Sequence, residues 1–190
     1  MHVLNKVLKR YGSLEAMFKK RYKDSDLNIG NGLIGFVGTL LTIGLSHPPL
    51  NPLPSREGTI KKDPPSPCGR GRGRGFLQFL PSPEKGSACK RMNLFLRWMI
   101  RDRDIDFGIW KGIPKNKLII PLDTHIARIS KCLSFTKRKS QDWKMAVEIT
   151  ESLKEFDSED PLKYDFALCH QGISRVCSKA NCKECSFQGI

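Results

Sequence analysis

Between Ser46 and Gly75 the chain reads SHPPLNPLPSREGTIKKDPPSPCGRGRGRG, and no packed element can be built from that stretch. Proline removes backbone donors, glycine raises the entropy cost of ordering, and the apolar residues follow no period, so burial cannot offset that cost. Residues 46–75 are therefore expected to form a disordered low-complexity insert, and any core must come from the sequence on either side. Four divisions follow: N-terminal helices in 1–45, the insert in 46–75, a helical core in 76–172 and a cysteine-rich tail in 173–190. The GRGRGRG run admits two readings, contact with nucleic acid through its arginines or no function of its own.

What remains is written in helical periods. Val3, Leu4, Val7 and Leu8, then Leu14, Met17 and Phe18, predict two short amphipathic helices separated at Gly12, the second capped by Ser13. Residues 33–45 are apolar but interrupted by three glycines, which weakens their helix propensity. Helical signals recur at 87–101, about 123–133, 140–156 and 158–172. The last of these opens on Ser158 as N-cap, with acids at 159 and 160 and Pro161 in the first turn. No run alternates as a strand would, so the fold class is expected to be all-α.

Lysine and arginine outnumber aspartate and glutamate by 14, and +4 of that excess lies in the insert. Such a balance favours a polyanionic partner, nucleic acid ahead of an anionic membrane surface, although a solvated basic surface gives the same count. No run approaches the roughly 18 to 20 apolar residues of a membrane span, and the start lacks the marks of a signal peptide. The chain reads as a cytoplasmic protein with no membrane partner.

In the helix after Gly86, Lys90, Arg97 and Arg101 fall within about 40° of one another, opposite Met92, Phe95, Leu96 and Met99. One face is core and the other is basic. The preceding turn, PSPEKGS, supplies a capping serine, and backbone N–H groups at the helix start can hold a phosphate. Lys90, near the positive helix end and beside Lys85 and Arg91, sits where its protonated form is disfavoured, as an amine nucleophile requires. The same face also reads as a plain phosphate-binding or solvated surface. Downstream, in IIPLDTHIARIS, Asp123 or Thr124 can cap a helix, while His125 is either a candidate base or a surface residue. Trp110, in RDRDIDFGIWKGIPKNKL, can stack on an extruded base or pack in the core. In the tail, Cys182 and Cys185 have the gap that lets two thiolates reach one metal, with Cys177 close by and Cys169 or His170 as a candidate fourth ligand.

Taken as a pair, GSACKRMNLFL and PLDTHIARISKCLSF resemble two segments of the helix-hairpin-helix DNA glycosylase superfamily. Its endonuclease III branch has a hairpin glycine turn, a lysine four residues after the first glycine, an asparagine three further on, and later a VDTHV.RV..RL segment. Gly86, Lys90 and Asn93 fit the first pattern; Asp123, Thr124, His125, Arg128 and Leu133 fit the second. LPSPEKGSACKRMNLFLRWMIR, KLIIPLDTHIARIS and EDPLKYDFALC further resemble signatures of an uncharacterised bacterial family placed distantly in that superfamily. The likeness covers roughly residues 1–40 and 76–190.

The resemblance implies an all-α, glycosylase-like monomer acting on double-stranded DNA in base excision repair, in a bacterial cytoplasm and associated with the nucleoid. Lys90 would attack C1′ of a damaged nucleotide and form a Schiff base, with or without a following lyase step at the abasic site. Asp123 would stabilise the oxocarbenium-like transition state and help the amine lose its proton. Gly86, Ser87 and Ala88 would grip phosphate, with Arg91, Asn93 and Arg128 as further DNA contacts. To these the basic face adds Arg97 and Arg101 as backbone contacts, which are not family assignments. Cys177, Cys182 and Cys185 resemble part of the iron-sulfur loop of endonuclease III relatives, implying a 4Fe-4S cluster or zinc.

The chain departs from the superfamily in three respects. Ala88 stands at the second hairpin glycine. The 33-residue spacing from Lys90 to Asp123 is long and resembles that of archaeal 8-oxoguanine glycosylases. Superfamily members also carry several helices ahead of the region matched by residues 1–40, so the chain is expected to be truncated and to lack half of the groove. The competing expectation is a non-catalytic DNA- or RNA-binding protein that keeps the basic hairpin surface.

Overall fold

The structure, a computed structural model, describes residues 2–45 and 80–173. The expected insert and Cys177, Cys182 and Cys185 lie outside the described residues. Within them the fold is all-α, with no strand and one isolated antiparallel bridge, between Ser87 and Asp142.

Helices α1 (His2–Tyr11) and α2 (Leu14–Lys19) form as their periodicity predicts, and Ser13 Oγ accepts from the N–H of Ala16 at 3.0 Å. Helix α3 spans Gly30–Leu45, starting earlier than its apolar run suggests. Its glycines are contact points as well as weak helix formers: a Cβ at Gly32 would stand 2.6 Å from the buried ring of Phe18. Helix α4 is Lys90–Ile100, α5 is Thr124–Cys132, α6 is Trp143–Lys154 and α7 is Asp165–Ile173. The helix expected over 158–172 is split into a 3-10 turn, Pro161–Tyr164, followed by α7. The cause is Asp160, held in a non-helical conformation at ψ 68° with its carboxylate drawn to Arg101. Ser158 gives way to Asp157, whose Oδ1 accepts from the N–H groups of Glu159 and Asp160, each at 3.0 Å.

One core joins both sides of the insert. Trp110 is 5% exposed and its ring lies 5.7 Å from Phe18, 6.4 Å from Phe36 and 5.7 Å from Phe95. It packs the N-terminal helices against α4, so the alternative of a tryptophan stacking on an extruded base is set aside. A second device is the segment Leu118–Leu122, non-helical and buried. Buried backbone needs partners, and here side chains provide them. Ile120 N–H donates to Thr150 Oγ1 at 3.0 Å, and Asn93 Nδ2 donates to Ala88 O at 3.1 Å and to Ile120 O at 3.5 Å.

Arg97 and Arg101, expected on a solvent-facing basic surface, are 5% and 1% exposed. Arg101 donates to Asp160 at 2.8 Å, to Asp106 at 2.6 Å and to Asp104 at 3.1 Å; Arg97 donates to Asp106 at 3.1 Å and to Asp165. The assignment of both arginines as DNA-backbone contacts is therefore corrected: loop 102–109, Asp160 and α7 close over that face of α4 and neutralise it. Burial pushes the Asp165 carboxyl up, against the pull of Arg97, with Asp123 and Asp106 adding to the rise.

Removing one partner from such a network strands buried charge, which typically costs about 3–5 kcal/mol. Arg101→Met is expected to lower unfolding stability by an amount in that range, read from the urea midpoint. An unchanged midpoint would mean that the carboxylates do not depend on it.

Candidate functional site

The site is built from two helix starts. The first follows a 3-10 turn, Pro83–Lys85, that ends at Gly86, whose φ of +74° is left-handed and suits a residue without Cβ. The chain then passes Ser87 and Ala88 and reaches Cys89, also left-handed at φ +51°, before α4 begins at Lys90. Ser87 was expected to cap this helix; instead its Oγ accepts from the N–H of Cys89 at 3.3 Å, and Cys89 occupies the N-cap position. The tight turn is made with left-handed residues at 86 and 89, so it does not require a glycine at Ala88. Gly86 O accepts from the N–H of Trp143 at 3.1 Å, which ties the hairpin to the start of α6.

The second helix start is Asp123. The buried Leu118–Leu122 segment delivers it to the N-cap of α5, where Oδ1 accepts from the N–H groups of His125 at 2.9 Å and Ile126 at 2.8 Å. This assigns the cap to Asp123; Thr124 is exposed. Oδ2 remains for Lys90, whose Nζ lies 3.0 Å away. The lysine side chain is 50% exposed and the aspartate 16%, so a solvent-reachable amine rests on an anchored carboxylate. Burial is the largest single influence on Asp123 and raises its pKa. The Ile126 N–H, the Lys90 ammonium and the His125 N–H together outweigh burial and hold the carboxyl below the usual range.

The remaining expected DNA contacts separate by exposure. Gly86 and Arg91 are exposed, Ser87, Ala88 and Arg128 are half-buried, and Asn93 is fully buried. Asn93 cannot meet DNA directly from this position, because its amide holds the hairpin carbonyl of Ala88 and the Leu118–Leu122 segment together. That expectation is corrected to a structural role. His125 is half-buried in the first turn of α5.

Two residues near the pair carried no expectation of a place there. Asp165 sits behind it, its carboxyl facing Arg97 and within electrostatic reach of Asp123. Cys169, one turn further along α7, is a half-buried free thiol. Burial pushes that thiol up, Asp123 and Asp165 push the same way, and Lys90 opposes them. The available signal was their four-residue spacing, which puts both on one face of a helix.

A family model described as Protein of unknown function (DUF2400) matches residues 1–174 of the chain. No curated protein and no solved structure matches it. Nothing in these comparisons connects the chain to the helix-hairpin-helix glycosylases. No described helix is long and apolar enough to cross a membrane.

The double duty of Asp123 is testable. Asp123→Asn keeps an oxygen for the cap and removes the charge, whereas Asp123→Ala removes both. The alanine variant is expected to lose about 1 kcal/mol more in urea unfolding at pH 7. Because the folded carboxyl titrates below its unfolded counterpart, its stabilisation is complete above the unfolded value, about 3.9, and is lost as pH falls through the folded one. The gap between wild type and Asp123→Asn should narrow over that acid limb; a constant gap down to pH 2 would contradict the linkage.

Proposed function

We propose that this chain, which belongs to the DUF2400 family of proteins of unknown function, is a helix-hairpin-helix glycosylase-like base-excision protein using Lys90 and Asp123. The observation that carries the reading is the 3.0 Å contact between Lys90 Nζ and Asp123 Oδ2, closed across 33 residues. A half-exposed ion pair contributes little to stability, about 0–1 kcal/mol, so the fold has small need of a lysine there. A nucleophile does need such a place: an amine that solvent and substrate can reach, held by a group that is itself fixed.

The chemistry follows from those positions. The Lys90 ammonium first gives one proton to water, and the neutral amine so formed makes a bond to C1′ as the glycosidic bond breaks and its electron pair leaves with the base. Loss of the amine proton and opening of the sugar then give the Schiff base. Positive charge builds on the sugar during cleavage, and a carboxylate fixed by two backbone N–H groups stabilises it without reorganising. A carboxyl held below its usual range is a weak proton acceptor, so Asp123 acts as the fixed negative charge. The Lys90 protons leave to water through its exposed side. The damaged nucleotide must be extruded from double-stranded DNA to reach these groups. Lys85 and Arg91, both exposed around the hairpin, offer the phosphate contacts, whereas the Gly86 N–H is donated to Pro83 O at 2.8 Å.

The test is borohydride trapping on duplex DNA with one abasic site. A covalent adduct is expected with wild type, none with Lys90→Ala, and roughly 10²- to 10³-fold slower trapping with Asp123→Asn. Salt-sensitive DNA binding with neither adduct nor base release from damaged duplexes would overturn the catalytic reading in favour of a non-catalytic DNA- or RNA-binding protein.

A further inference from the structure

With Arg97 and Arg101 withdrawn into the core, the positive charge facing a duplex must come from elsewhere. The loop between α5 and α6 supplies it. Its backbone is organised by Thr136, 3% exposed, whose Oγ1 donates to Glu148 at 2.9 Å and accepts from the N–H of Arg138 at 3.1 Å. Arg138 turns back onto Asp142, with Nη2 2.9 Å from Oδ2 and Nε 3.3 Å from Oδ1. Asp142 in turn caps α6 through the N–H of Met145 at 2.8 Å and bridges to Ser87 of the hairpin.

The neighbours of Arg138 are left on the outside. Lys137 and Lys139 are exposed, and neither forms an ion pair with a carboxylate among the described residues. The two carboxylates that meet the loop are already engaged, Asp142 at its end by Arg138 and Glu148 on α6 by Thr136. Lys139 is three residues from Asp142, so its Cα lies within about 11 Å of the residue that bridges to the hairpin. The result is a pair of exposed ammonium groups on a braced loop bridged to the hairpin, which carries Lys85 on its turn and leads to Arg91 at the start of α4.

We infer that Lys137 and Lys139 form a second phosphate-contacting wall, so that the hairpin and this loop together hold the backbone of duplex DNA. This deepens the proposed function and rests on its DNA partner. Being contacts to phosphate, they add affinity without sequence preference and are released by salt.

The experiment is fluorescence anisotropy of labelled duplex, with and without an abasic site, from 50 to 200 mM salt. The Lys137→Ala/Lys139→Ala double variant is expected to bind about tenfold or more weakly at low salt, equally on both duplexes. Its log K against log salt slope should be shallower by about 1.8, and Lys137→Arg/Lys139→Arg should restore the wild-type slope. Equal urea midpoints establish that the alanine variant is folded. An unchanged slope in the alanine variant, while Lys85→Ala/Arg91→Ala weakens binding, overturns the second wall and leaves the DNA reading standing. Wild type that binds no duplex DNA in this range overturns both.

Discussion

The structure depends on how one buried, non-helical run of backbone is satisfied. Leu118–Leu122 lies between helices with no strand to pair with, and its peptide groups would otherwise be lost to water without replacement. Thr150 reaches it from α6, and Asn93 reaches it from α4 while also holding the hairpin carbonyl of Ala88. Two helices and a turn are thereby registered against a single segment. Asp123 is the next residue along, so its position relative to Lys90 follows from the same bonds. The ion pair is a consequence of this arrangement and not its cause.

A division of labour between the cationic residues follows. Those on loops and helix starts around the hairpin face solvent, while Arg97 and Arg101 satisfy a cluster of aspartates inside. Arginine suits the inner role, since its planar fork can meet several carboxylate oxygens at once. The proposed chemistry then uses the boundary between the two regions. Lys90 stands at the outer edge, Asp123 is anchored just within it, and Asp165 with Arg97 lies behind.

The local signals in the sequence carried in part, since Ser87 and Ser158 yield their expected caps to Cys89 and Asp157. Ser13 and Asp123 sit at the helix starts where their side chains can cap, and the glycine break at Gly12 separates α1 from α2. The candidate pair was named in the sequence only by the resemblance of two short segments, whereas composition and periodicity offered only a basic helix face and a cap. The errors share a physical origin. A helical wheel groups Lys90, Arg97 and Arg101 on one side but cannot show what packs there: the loop 102–109 folds back directly from the end of α4, and Asp160 and α7 arrive from some sixty residues on. Trp110 and Asn93 were open to solvent-facing roles for the same reason. Lys137 and Lys139 carry no local signal in the sequence, because what places them near the hairpin is the bridge between Ser87 and Asp142, whose residues are 55 positions apart.

The aromatic group around Trp110 has a further bearing on how the molecule holds together. Phe18 and Phe36 come from one side of residues 46–79, and Phe95 and Trp110 from the other, yet all four belong to one interior. The peptide connection between Leu45 and Leu80 is then not what keeps the halves in register. A protease nick anywhere in that interval would leave two polypeptides with complementary apolar faces, and the nicked species would behave as a heterodimer. Its stability would acquire a dependence on dilution that the intact chain does not have.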